Sequence, residues 1–123
     1  MATNWFAAAA ILCGLGVVLG AFGAHGLRER LTADMLVVFE TGVRYHFIHA
    51  LGLFAVAWAA SRWPGPLVGA AGWLFVAGIV IFSGSLYVLS ISGIRWLGAI
   101  TPIGGLCMIA GWALLAVAAL RAS

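Results

Sequence analysis

The chain has 123 residues, 65% of them hydrophobic and 7% charged, with a mean hydropathy of +1.18. A soluble domain averages about 25% charged residues, and a small fold has too much surface for its volume to hide this much apolar side chain from water. The composition excludes a water-soluble globular domain. The net charge of +3 comes from arginines scattered at helix ends, which excludes the clustered basic patch that nucleic-acid binding needs.

A membrane-spanning helix needs roughly 20 apolar residues, so four spans use nearly the whole chain and leave no room for a soluble domain. The expected fold is all-α: an antiparallel four-transmembrane-helix bundle, one membrane domain over 1–123, with helices at about 4–26, 33–61, 67–89 and 96–120. The first run ends in Ala21-Phe22-Gly23, which looks like a leader cleavage site. It lacks a preceding basic residue and is longer than a leader's apolar core, so it reads as helix one. The charged segment Leu27 to Leu31 connects it to helix two, where Thr32 is a suitable N-cap and Asp34 lies in the dipole-favoured first turn. Arg62-Trp63-Pro64-Gly65-Pro66 cannot continue a helix and reads as a turn. Helix three follows, then a polar turn containing Gly93. Helix four carries Thr101-Pro102 in its first turns, where proline costs least, and Gly104-Gly105 as a site of bending. Cys13 and Cys107 lie inside apolar runs as small hydrophobes, without zinc-site spacing.

Lipid tails are as apolar as leucine, so helices in a bilayer associate through close packing of small residues. Gly16, Gly20 and Gly23 on helix one, Gly84 on helix three, and Gly104 and Gly105 on helix four are the expected packing positions. Membrane lipid is the expected surrounding partner, with a homo-oligomer or a larger membrane complex beyond it.

Aligning the four spans reveals a polarity. Trp5, Trp58, Trp63, Trp73 and Trp112 fall in the half nearer the two termini and resemble an interfacial belt. The polar side chains His25, Glu40, Arg44, Tyr45, His49, Ser83, Ser85, Tyr87 and Thr101 gather in the other half. On helix two, Glu40 and Arg44 have the spacing and order of an ion pair. They point nearly opposite to Tyr45 and His49. His49, the deepest, is expected to face the bundle, because ionisable groups avoid lipid. The ordinary role of Glu40 and Arg44 is to fix helix depth, and that of His25 and His49 is an interhelical hydrogen bond. Proton relay is the functional alternative, since histidine titrates near neutrality. No serine has a nucleophile-elbow setting, and no metal site or cofactor is expected.

Four segments together resemble a known family. They are Gly20-Ala21-Phe22-Gly23-Ala24-His25-Gly26-Leu27; Phe39 to Ala50 with Tyr45 and His49; Leu74 to Tyr87 ending Phe82-Ser83-Gly84-Ser85-Leu86-Tyr87; and Leu97 to Gly105 with Ile100-Thr101-Pro102. The chain is similar to the small inner-membrane proteins of domain of unknown function 423, relatives of the animal small transmembrane 256 proteins. That resemblance implies four spans and a bacterial inner-membrane location, and brings no activity. The family pattern ordinarily has glutamine at His46, which directs attention to His25 and His49. The leading expectation is a non-enzymatic oligomerising protein or accessory subunit of a membrane complex. The alternatives are a proton-linked channel or transporter working through the polar half, and a haem-binding subunit ligated by His25 and His49. Arg28, Arg30 and Arg95 outnumber Arg62 and Arg121, which favours both termini on the outer side.

Overall fold

A computed structural model describes residues 3–123. Four helices are long and apolar enough to cross a membrane: α1 (Trp5–Leu27), α2 (Ala33–Arg62), α3 (Pro66–Ser92) and α4 (Arg95–Ala122). Local chemistry sets their ends. The Asn4 side chain accepts from the Ala7 N–H at 3.0 Å, and the Thr32 hydroxyl accepts from the Met35 N–H at 3.2 Å. Each satisfies a donor that the first turn of a helix leaves free. Pro66 opens α3, where a missing N–H removes no helical bond. Gly93 closes it in the left-handed conformation, at φ +74°. Helix α4 starts as a tight turn over Arg95–Ala99 and becomes a regular helix at Thr101.

Connections this short make successive helices antiparallel. They pack in chain order, α1 on α2, α2 on α3 and α3 on α4, and α1 makes no extended contact with α4. One core cluster lies toward the termini, with Trp5, Ala9, Leu53, Val56, Val68 and Phe75 at its centre. A second, smaller one joins Ala50, Ile79 and Met108. Helix α1 is the least buried of the four, and its outer side presents Phe6, Ile11, Val17 and Val18.

Glycines mark the close crossings. A Cβ at Gly16 would meet the Phe47 ring, at Gly23 the Phe39 ring, and at Gly20 Val43 at 3.6 Å. These three seat α1 on α2. Gly104 lies against the backbone of Phe82, and Gly105 touches the same ring at 3.7 Å. Gly84 differs from the expectation, because nothing lies within 4 Å of the place its Cβ would occupy. A wide turn at Ile79–Ser83 interrupts α3 immediately before it. Such a turn shifts the facing of every later residue, and Gly84 follows it onto an open side.

The same turn aims two serines in different directions. Ser83 and Ser85 are two residues apart, about 200° around a helix. Both are buried. Ser83 therefore reaches α2, and Ser85 reaches α4.

Candidate functional site: an interhelical polar network

Helix α2 buries two histidines, His46 and His49, each 3% exposed. Three residues apart, they share one face of the helix. His46 places Nε2 2.7 Å from the Leu12 carbonyl on α1 and Nδ1 2.9 Å from the Tyr87 hydroxyl on α3. A carbonyl only accepts, so Nε2 carries a hydrogen and donates; in the neutral ring Nδ1 is then bare and accepts from the tyrosine. His49 has the opposite tautomer. Its Nδ1–H donates to the Tyr45 carbonyl at 2.8 Å, and its Nε2 accepts from the Trp112 indole N–H at 2.9 Å. Both rings have each nitrogen occupied by a partner.

The hydroxyls are equally committed. Ser83 donates to the Gly42 carbonyl at 2.7 Å, bridging α3 to α2. Ser85 shares a hydrogen bond with Thr101 and also reaches the Phe82 carbonyl at 2.9 Å. Among the described residues, no buried side-chain nitrogen or oxygen lacks a partner. In hydrocarbon an unmatched polar group is costly, so the polar residues of the sequence become fasteners between helices.

The expected site residues therefore divide. His49, Ser83, Ser85, Tyr87 and Thr101 join the network. Tyr45 contributes its carbonyl, while its ring packs on Phe82 at 4.7 Å and remains 39% exposed. His25 is exposed in the wide turn that ends α1. It stands at the α1–α2 connection, whereas His49 lies roughly 20 Å further along α2 by helical rise. One porphyrin iron does not span that separation, and the Nε2 of His49 is already taken, so the proposed haem pairing is corrected. Glu40 and Arg44 are both exposed, and no ion pair within 4.0 Å forms among the described residues.

Two residues enter the network that were not among the expected site residues. His46 is the link joining α1, α2 and α3. Its three-residue offset from His49 was the available signal. Trp112 was assigned to the aromatic belt, yet it lies roughly three turns inside α4 and caps His49. Trp5 is also internal, at 6% exposure, where it fills the space left by Gly72.

Beside His49 a cleft of about 410 Å³ separates α2 from α4, lined by Tyr45, Ile48, Phe82, Met108, Ile109 and Trp112 among others. Its rim residues Ile48 and Ile109 are exposed apolar side chains, so it opens sideways toward lipid. No group of three or more His, Cys, Asp or Glu side chains able to hold a metal occurs among the described residues.

Residues 19–105 match the family described as protein of unknown function DUF423. The UPF0382 membrane protein YwdK of Bacillus subtilis is 55% identical over 108 residues, covering 87% of this chain and 88% of its own. A UPF0382 membrane protein of Staphylococcus haemolyticus is 47% identical, over 87% of each chain. The UPF0382 inner membrane protein YgdD of Escherichia coli K12 is 39% identical over 85% of this chain and 80% of its own. No solved structure matches the chain.

Proposed function

Since the chain belongs to the DUF423 family of membrane proteins, whose names carry no activity, we propose from its architecture that it is a non-enzymatic building block that self-associates, alone or as an accessory subunit of a larger assembly. The observation that carries this reading is the closed polar network, in which each nitrogen of the two buried histidines is already bonded. A metal would need a free ring nitrogen, which neither histidine offers, and the bonds they make tie α2 to α1, α3 and α4. What the bundle offers outward is apolar surface, and α1 is the least buried of its helices. There Ala10 and Gly14 are exposed four residues apart, and nothing lies within 4 Å of a Cβ built at Gly14. Small residues at that spacing let a second helix approach closely. The name of the Escherichia coli relative supports the bacterial inner membrane as the location. Three arginines at the helix connections against two on the terminal side favour both termini on its outer side.

Light scattering of the purified protein in mild detergent tests the association. The native chain is expected to run as a dimer or larger, and Gly14→Leu as a monomer with unchanged helicity. A native chain that is monomeric at every concentration, without a co-purifying partner, would overturn the reading.

A further inference from the structure

We infer that the terminal face carries a binding site for a phosphate anion, formed by Arg62 and Arg121 over an apolar floor. The two arginines come from the last turns of different helices, α2 and α4. They line one cavity of about 320 Å³, floored by Leu67, Val68 and Ala118, with Trp63 at its side. Val68 is buried to 2% exposure.

Three features give this cavity its chemistry. All three acidic side chains, Glu29, Asp34 and Glu40, lie toward the opposite face, in or near the α1–α2 connection and the first part of α2. No carboxylate side chain on the terminal face competes for the guanidinium groups. Arg62 is held rather than free, since its guanidinium carbon lies 5.7 Å from the Trp58 ring centre, and Trp58 in turn meets Trp63 edge-on at 5.3 Å. A planar guanidinium presents paired N–H donors that match two phosphate oxygens at once, and this cavity is lined by two of them. The floor then separates sources. Inorganic phosphate gains nothing from Leu67, Val68 and Ala118, whereas a phospholipid can set its phosphate between the arginines and the start of its acyl chains on that floor. Trp58, Trp63 and the helix ends place the cavity at headgroup depth.

Native mass spectrometry of the delipidated full chain in detergent tests this, with phosphatidylglycerol, phosphatidylcholine and inorganic phosphate as the probes. Phosphatidylglycerol is expected to be retained about tenfold more strongly than phosphatidylcholine, consistent with the strength of basic side chains toward anionic lipid. That preference is expected to disappear in R62Q/R121Q and to persist in R28Q/R30Q, which removes the same charge from the opposite face. Inorganic phosphate displacing phosphatidylglycerol at equal concentration, with the same loss in R62Q/R121Q, would assign the site to the free anion. Equal retention of the two lipids without phosphate binding, or a preference that survives R62Q/R121Q, would overturn the site.

Discussion

His46 holds three helices with one ring, through a hydrogen bond from each nitrogen. It needs a donor toward the Leu12 carbonyl and an acceptor toward the Tyr87 hydroxyl. A glutamine amide offers one of each. His46→Gln is therefore expected to keep the bundle within about 0.5 kcal/mol of native stability, a change typical of tolerated substitutions. His46→Leu leaves the Tyr87 hydroxyl without its partner and removes a tie to α1. Its expected cost is about 1–2 kcal/mol, the range for interhelical hydrogen bonds in membranes. Unfolding in mixed micelles measures both. Tyr87→Phe made in the His46→Leu background should add less than it does alone, because the two residues share one bond. Additive losses would show that His46 and Tyr87 act independently.

Between elements, the tightest approach is α3 on α4 at Gly104. A methyl group there would strike the backbone of Phe82, which cannot swing aside as a ring can. Gly104→Ala is expected to lower stability by about 1–3 kcal/mol, as overpacking does. Gly84→Ala meets open space and should be neutral or slightly stabilising, since alanine favours helix more than glycine does. Thermal melting of the two variants side by side checks the contrast. The sequence alone treats these two glycines alike, because the wide turn at Ile79–Ser83 leaves no periodicity to read. The four spans were legible from hydropathy, and the α2 start from Thr32, whose hydroxyl does cap it. The turns at Pro64-Gly65-Pro66 and Gly93 were legible for the same reason: proline and glycine act through their own backbone. The partners that His46 ties together were not, because they lie 34 and 41 residues away. Nor was the depth of Trp112, whose indole is drawn to His49 across two helices.

Across the whole molecule, charge and close packing are divided between the two faces. The three acidic residues lie with Arg28, Arg30 and Arg44 at the α1–α2 connection and the first half of α2, Arg95 lies at the α3–α4 connection on the same side, and the charged side chains of the terminal face are the arginines Arg62 and Arg121. Orientation should follow the three arginines Arg28, Arg30 and Arg95. A periplasm-active reporter fused after Ser123 is expected to be active in the native chain and to lose that activity when the three are replaced by glutamine. A native fusion active only in the cytoplasm would reverse the assignment. The bond from Trp112 to His49 has a use at this scale as well. Five other tryptophans are present, but this indole donates to an imidazole midway along the spans, beside a cleft open to lipid. Any sliding of α4 past α2 must break that bond and change the polarity around the ring. The chain thus contains its own fluorescent gauge of that helix crossing, readable as the difference between native and Trp112→Phe emission without attaching a dye.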